Sequence, residues 1–235
     1  MTTGFHTSAT GMIWAQKALD VTANNIANVS TGGYKADKAS FADLLYTNVK
    51  EAEVAPDLKV GHGSKLGKTD TLFNVTGFDR TERPQDYGLT DGRNFFAVRT
   101  ADGRTVYTRN GSFSLSKRGD GRFYLADSSN NLVLTQNGQT IPVIDANAKQ
   151  PVGVFTFRNL DGLSKDGSNC YAVTARSGEA IGVPNADIRQ GCLENSGTDI
   201  ATEISNIILQ QRSYDMDARF VTMTDEVMQT VNGLR

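Results

Sequence analysis

The feature that most constrains this chain is a heptad repeat of apolar residues near its C-terminus. Between residues 198 and 234 an apolar side chain recurs at every seventh position, and others lie near the intermediate positions. They are Ile200, Ile207, Tyr214, Val221 and Met228, with Ile204, Ala218 and Val231 near the complementary positions, three or four residues away. No proline interrupts the segment, so the pattern predicts one amphipathic helix about 55 Å long with a coiled-coil seam. Thr198 or Asp199 is the expected N-cap, and Asn232-Gly233 the expected C-cap.

The N-terminus carries a matching repeat. The apolar residues Phe5, Met12, Leu19 and Ile26 are also seven apart. They predict a second helix over about the first thirty residues, ending in a polar run before Gly32-Gly33. Fixing the backbone of a long helix costs about 1–2 kcal/mol per residue, more than one apolar stripe recovers. The two terminal helices are therefore expected to pair with each other and to need further partners.

The middle of the chain is expected to be a β domain inserted between these helices. From residue 69 apolar and polar residues alternate, and Asp-Gly and Asn-Gly pairs stand between the alternating runs, as in antiparallel hairpins. The expected strands are 72–75, 94–98, 105–108, 112–115, 123–125, 132–134, 152–157, 170–174 and 180–183. The predicted fold class is α+β. Its segments are an N-terminal helix (1–33), a connector and extended arm (34–68), the β domain (69–195) and a C-terminal helix (196–235).

Composition excludes several classes of function. The net charge is -2 with both signs interspersed, which does not favour a nucleic-acid or anionic-membrane partner. No apolar run is long enough to span a membrane. Lys17 and Asp20 interrupt the N-terminal stretch, so a cleavable secretory signal is not expected. Cys170 and Cys192 are too few for a disulfide framework, and a bridge between them stays open but is not favoured.

Candidate chemical sites are weak. His6 and His62 stand apart from each other and from other metal-ligating residues. The Gly-rich stretch 61–67 fits neither phosphate-binding pattern, and 161–167 lacks the acids of a calcium loop. No cofactor, metal, catalytic residue or enzyme activity is therefore predicted. Adjacent Phe95 and Phe96 should point to opposite faces of a strand, one into the core and the other into a subunit contact.

Three asparagines, Asn24, Asn25 and Asn28, follow one another closely at the end of the first predicted helix. Such residues are typical of helix ends and turns. Their amides could equally bond neighbouring chains in an assembly, because three in five residues exceed what capping requires. Both interpretations stay open.

Three separated stretches make the chain resemble a known family. Residues Ala23–Lys35 are similar to the N-terminal signature of the rod and hook family of bacterial flagellar axial proteins. Gln190–Ser196, followed by Gln211–Asp215, resembles its C-terminal signature, and Pro84–Val98 with Tyr107–Phe113 resembles its central β-domain signature. The short chain favours a rod subunit over the hook protein. Residues 41–46 and the arm that follows are most like the distal rod type, whereas residues 81–84 and 101–103 are closer to the proximal type.

The resemblance implies a structural subunit that polymerises into a tubular, torque-transmitting shaft. In this family the terminal helices are largely disordered in the free subunit and order on stacking, with the β domain outside. Implied partners are copies of itself, other rod and hook subunits, the type III export apparatus and the surrounding ring bushing, with no nucleic acid or small-molecule substrate. The implied location is the basal body outside the cytoplasmic membrane, which is the periplasm where two membranes exist. An oligomeric adhesin or binding module is the alternative from a different class.

Repeats and resemblance together predict an assembly interface at the two ends of the chain. Its residues are Phe5, Met12, Leu19, Asn24, Asn25, Ile26, Asn28, Ile200, Ile204, Ile207, Gln211, Arg212, Tyr214, Val221 and Met228.

Overall fold

The computed structural model describes residues 2–44, 46–50 and 58–234. Leu45 and Pro56, which belong to the predicted connector and arm, lie outside this range. The chain divides into two compact units. The helix–arm unit contains residues 1–27, 37–70 and 199–235, and the β unit contains residues 28–36 and 71–198. Both helices and antiparallel sheets are present, which confirms the α+β class.

Two long helices form most of the helix–arm unit. They are α1 (Thr2–Ala27) and α2 (Ile200–Gly233), which has 34 residues and is therefore about 50 Å long. Asp199 is the N-cap of α2, because its carboxylate accepts hydrogen bonds from the backbone N–H groups of Ala201 and Thr202. A hydrogen bond from the Thr202 hydroxyl is the main cause that lowers the pKa of Asp199. At the other end Gly233 still belongs to the helix and Leu234 is the C-cap, one residue beyond the predicted cap.

The arm in this unit is built of two strand pairs, one nested within the other. Its strands are β1 (Asp37–Asp43), β2 (Tyr46–Lys50), β3 (Leu58–Gly61) and β4 (Ser64–Thr71). β2 pairs with β3, and β1 pairs with β4. The predicted extended arm is therefore a β-ribbon in which the backbone hydrogen bonds of each strand find a partner strand.

The β unit contains fourteen short strands among its described residues. They are β5 (Phe78–Arg80), β6 (Tyr87–Leu89), β7 (Asn94–Arg99), β8 (Thr105–Thr108), β9 (Ser114–Lys117), β10 (Phe123–Ala126), β11 (Leu132–Val133), β12 (Pro142–Val143), β13 (Val154–Thr156), β14 (Ser164–Gly167), β15 (Cys170–Ala172), β16 (Ile181–Gly182), β17 (Ile188–Gln190) and β18 (Cys192–Glu194), with a 3-10 turn at Leu160–Gly162. A ten-stranded antiparallel sheet runs in the order β12-β10-β11-β7-β8-β15-β14, with β9 on β10, and β13 joining β7 to β16. Two small pairs, β6–β17 and β5–β18, complete the unit.

Strand β7 lies at the centre of this sheet and is buried on both faces. Phe96 belongs to one apolar cluster with Tyr87, and Phe95 belongs to a second cluster with Tyr107. Both phenylalanines are fully buried. The prediction that they point to opposite faces is confirmed, but the prediction that one makes a subunit contact is wrong. Phe157 and other residues cover the second face, so it is core as well.

The hairpin turn at Asp102-Gly103 forms as predicted, but one predicted strand does not. Gly103 has φ +79° and closes the β7–β8 hairpin, where its N–H donates to the Thr100 carbonyl at 2.9 Å, as the Asp-Gly pair predicts. Residues 72–75, by contrast, form no strand, although their pattern predicted one. Leu72 and Val75 are each 43% exposed. This segment bonds instead to residues 35 and 36 of the β unit, which competes with sheet pairing.

Candidate assembly surface

Small and polar side chains line the contact between the two helices. On α1 the buried residues recur at three- and four-residue steps, and they are Ala15, Ala18, Thr22 and Asn25, with Gly11 one step before them. Asn25 donates from Nδ2 to Oε1 of Glu203 at 2.8 Å. Gln210 donates from Nε2 to the Thr22 hydroxyl at 3.1 Å. Higher numbers on one helix meet lower numbers on the other, so α1 and α2 pack antiparallel. That this pair is a coiled coil stays a prediction.

The face of α2 towards α1, which we call the inner seam, contains both apolar and polar residues. Its buried and half-buried members are Glu203, Ile207, Gln210, Asp217, Val221 and Thr224. Tyr214 and Met228 share the heptad spacing but are 39% and 38% exposed. Asp217 lies against Gly11, where an added Cβ would be 2.4 Å from Oδ2 of the carboxylate. Burial at this position raises the pKa of Asp217. The inner seam therefore contains two of the predicted apolar positions, Ile207 and Val221, among polar residues that the repeat alone did not indicate.

The other predicted interface residues lie beside or away from this contact. On α1, Met12, Leu19 and Ile26 are half-buried, and Phe5 is 38% exposed. On α2, Ile200 and Ile204 are about half exposed, and Gln211 and Arg212 are exposed. Asn24 is exposed and Asn28 half-buried. Asn25 is different, because its amide bonds Glu203 and both backbone groups of Asp37 within the same subunit.

A second heptad pattern on α2 was missed from the sequence. Starting at residue 209, apolar residues recur at alternating four- and three-residue steps, except for Ser213 and Thr230. This outer seam consists of Leu209, Met216, Phe220, Met223, Val227 and Leu234, and each side chain is between 48% and 83% exposed. The spacing was present in the sequence, two positions out of phase with the first repeat. A search that allowed two stripes on one helix would have found it.

A buried ion cluster in the β unit is the second feature that the sequence did not reveal. Glu194 accepts from Nζ of Lys35 at 2.6 Å, and from Nε and Nη2 of Arg109 at 2.9 and 2.8 Å. The three side chains are fully enclosed. Nη1 of Arg109 also donates to the carbonyls of Asp91 and Asn94. Burial, and then the Arg109 charge, lower the pKa of Lys35, while the bond and charge of Glu194 oppose the shift.

Gly33 allows this cluster to form. Its φ of +66° disfavours other residues, and an added Cβ would lie 2.6 Å from the backbone oxygen of Arg109. Its N–H donates to the Glu194 carbonyl at 2.8 Å. Helix α1 already ends at Ala27. Gly33 thus serves close backbone packing in the β unit, six residues after the end of the helix that the Gly-Gly pair was expected to terminate.

Potential chemical groups elsewhere are dispersed. In the described part of the chain no three His, Cys, Asp or Glu side chains come together as metal ligands. Both cysteines are free thiols, with Cys170 buried and Cys192 half-buried. Burial is the main cause that raises the pKa of Cys170 to about 11.

Among the described helices, neither is long and apolar enough to cross a membrane.

Comparison with known proteins gives matches along most of the chain. Residues 5–35 match the family described as flagella basal body rod protein. Residues 89–149 match the flagellar hook protein FlgE/F/G D1 domain, and residues 189–234 match the flagellar basal body rod FlgEFG protein C-terminal family. The flagellar basal-body rod protein FlgG of Borreliella burgdorferi is 30% identical over 259 residues, which cover 97% of each chain. The chain belongs to the flagellar basal-body rod protein family.

Further relatives agree with this assignment. FlgG of Agrobacterium fabrum is 30% identical over 96% of each chain, and FlgG of Bacillus subtilis is 29% identical over the full length of both. The predicted likeness to the distal rod type is confirmed. The rod protein is structural and not an enzyme, and the adhesin alternative is not favoured.

The three matched segments of the rod protein meet in its ion cluster. Lys35 is the last residue of the first matched segment, Arg109 lies within the second, and Glu194 lies within the third. Arg109 lies 85 positions before Glu194 along the chain, and Lys35 lies 159 positions before it. Stretches that are separate in the sequence therefore each contribute one charged side chain to a single buried site.

Proposed function

We propose that this chain polymerises through α1 and α2 into the tubular, helical shaft of the flagellar rod and transmits torque from motor to hook. The observation that carries the proposal is the outer seam, an apolar heptad stripe that stands exposed along most of α2. Its partners are copies of itself and other rod and hook subunits. Delivery is by the flagellar type III export apparatus. The shaft lies outside the cytoplasmic membrane, in the periplasm of two-membrane cells, within the ring bushing.

Energetics support assembly through this face. The outer seam leaves six large apolar side chains about half or more exposed. Covering the exposed part of each is worth about 1–2 kcal/mol, so the whole stripe is worth on the order of 10 kcal/mol. A contact between different faces of neighbouring subunits, repeated without closing, produces a helical filament. The half-exposed residues Phe5, Ile200 and Ile204 extend the apolar surface available to such contacts.

The asparagines and polar residues of the predicted interface take a secondary part in this proposal. Asn24, Gln211 and Arg212 are exposed on the helices and are suited to hydrogen bonds between subunits. Asn25 orders the helix–arm unit itself, since its amide bonds Glu203 at 2.8 Å and the Asp37 carbonyl at 2.8 Å. Ile207 lies in the inner seam, so a charge there would disturb the subunit's own helix pair as well as assembly.

The variant Phe220→Asp tests the proposal most directly. Phe220 is 59% exposed, so the substitution places a charge on the outer seam. Its ring also lines a pocket with Gly4 and Thr7, so the helix content of the variant must first match wild type by circular dichroism. We expect the chain to be exported but absent from purified basal bodies, and the cells not to swim. Thr222→Asp is the matched control, because Thr222 is exposed on the other side of the same helix turn. Normal swimming and normal incorporation of Phe220→Asp would refute assembly through this face.

A further inference from the structure

The ion cluster lies where the chain leaves and re-enters the β unit. The chain passes between the two units at four points, after residues 27, 36, 70 and 198. Within the β unit, the ends of these passages are bonded to one another. The Ser196 hydroxyl donates to the Asn28 carbonyl at 2.9 Å, and the Gly197 N–H donates to the Tyr34 carbonyl at 2.8 Å. The second and third passages are bonded to each other, because the Leu72 N–H donates to the Ala36 carbonyl at 2.9 Å.

Lys35 and Glu194 join these pairs into one network. Lys35 donates from Nζ to the Asn74 carbonyl and to Glu194, and so connects the second and third passages to the fourth. The Thr76 hydroxyl donates to the Asn195 carbonyl at 2.7 Å, a second bond between the third and fourth passages. The Glu194 carbonyl receives the Gly33 N–H at 2.8 Å, which brings in the segment that follows α1.

Arg109 fixes this network to the sheet. It follows strand β8 directly and holds Glu194 by two bonds at 2.9 and 2.8 Å. Its Nη1 bonds the carbonyl of Asn94, the first residue of the central strand β7, at 2.7 Å. The guanidinium also lies 5.8 Å from the ring centre of Phe95, over the second apolar cluster. Through the Glu194 carboxylate and Arg109, the passages are therefore bonded to the start of the central strand.

We propose that the Lys35–Glu194–Arg109 cluster is the mechanical junction of the subunit, which makes the four passages act as one rigid connection to the β sheet. Any force exchanged between the two units along the covalent chain runs through these passages. Separate passages would bend one at a time, whereas passages bonded to a common anchor share the force. Buried, charge-assisted hydrogen bonds are directional, which an apolar contact is not. The proposal rests on the torque-transmitting function proposed above.

Two variants of the full-length chain test the junction. Glu194→Gln removes the carboxylate and leaves two buried cations facing each other, so it can also impair folding. The triple variant Lys35→Met, Arg109→Met, Glu194→Leu replaces the cluster by apolar side chains of similar size, a replacement that is often tolerated. Arg104→Ala is the matched control, because it removes the exposed pair with Asp166 at 3.3 Å in the same unit.

Amide hydrogen exchange and motor torque are measured for each variant. In the triple variant we expect exchange at the amides of residues 33, 72 and 197 to rise at least tenfold. Amides of β7 and β8 should stay within twofold of wild type. Tethered cells should turn normally at low load and lose torque or break their rods at high load, while Arg104→Ala matches wild type throughout.

Unchanged exchange at those three amides in a folded triple variant would overturn the proposal, and so would normal torque at high load. Should Glu194→Gln fail to fold, the triple variant alone decides. Failure of the proposed function gives a different result: the wild-type chain would be absent from basal bodies, whatever the exchange rates show.

Discussion

Gly111→Ala is the substitution for which the structure makes the sharpest quantitative prediction. Gly111 precedes β9 and packs directly on the backbone at the start of β6. An added Cβ would lie 1.7 Å from the carbonyl oxygen of Tyr87 and 3.1 Å from the ring of Phe96. The nearest atoms belong to the backbone, so no side-chain rotation can relieve the clash. The two segments must separate by roughly 1.7 Å to reach the 3.4 Å of ordinary contact.

The cost follows from what this separation breaks. The Tyr87 N–H donates to the Gly111 carbonyl at 3.0 Å, and a β-bridge joins Asp86 to Ser112 beside it. Losing a buried backbone bond and straining the packing of Tyr87 and Phe113 together cost about 2–5 kcal/mol. For a unit of this size, the loss corresponds to a fall in Tm of about 8–20 °C.

Scanning calorimetry of the full-length subunit measures this effect. The β unit contains most of the buried apolar residues, so its melting dominates the signal. Gly119→Ala is the matched control, because no atom lies within 4 Å of its added Cβ and its φ is not positive. It should change Tm by about 2 °C or less, since the added methyl meets open space. A Gly111→Ala subunit that melts within about 2 °C of wild type would refute the close approach.

Two further predictions concern titratable groups. Burial raises the pKa of Asp217, so folding favours its protonated form, and its contribution to the stability of the helix pair is lost as the pH rises through the folded-state pKa. Asp217→Asn should therefore show more helix than wild type by circular dichroism at pH 7, and no gain at pH 7 would contradict this. Burial raises the pKa of Cys170 to about 11, so at pH 8 a thiol reagent should modify half-buried Cys192 first and Cys170 only after unfolding. Equal rates for the two thiols in the folded subunit would contradict the burial of Cys170.

Features set by local sequence were predicted well. The apolar spacing places α2 within one residue at its end, and Asp199 is one of the two expected caps. The strand expected at 105–108 coincides with β8, and the turn at Gly103 follows from its Asp-Gly pair. In each case the determinant lies within about ten residues: a helical period, a capping side chain or a residue that accepts positive φ.

Features that depend on distant partners were not predicted. The arm strands β1 and β4 carry charged and small residues without clear alternation, and they are specified by pairing with each other. Glu194 is an ordinary acid in the sequence, and only the fold brings Lys35 and Arg109 to it. Similarly, Asn110-Gly111 is one of the Asn-Gly pairs that predict a hairpin turn, whereas the lack of a side chain at Gly111 serves contact with Tyr87. The spacing of residues along the chain does not indicate which distant residues come into contact in the fold.

The two seams of α2 have different roles: the inner seam fixes the register of α1 on α2, and the outer seam offers the apolar surface that would stabilise the helices in an assembly. Hydrogen bonds such as those of Thr22 with Gln210 and Asn25 with Glu203 are satisfied in only one alignment of α1 on α2, and polar residues at seam positions fix register at a cost in stability. Small residues such as Ala15 and Ala18 bury little apolar surface. The inner seam therefore aligns the helices without holding them strongly, and in the proposed filament the large side chains of the outer seam gain further burial from another chain. A helix pair built this way would be aligned by its own sequence and stabilised by its neighbours, as the proposed polymerisation requires.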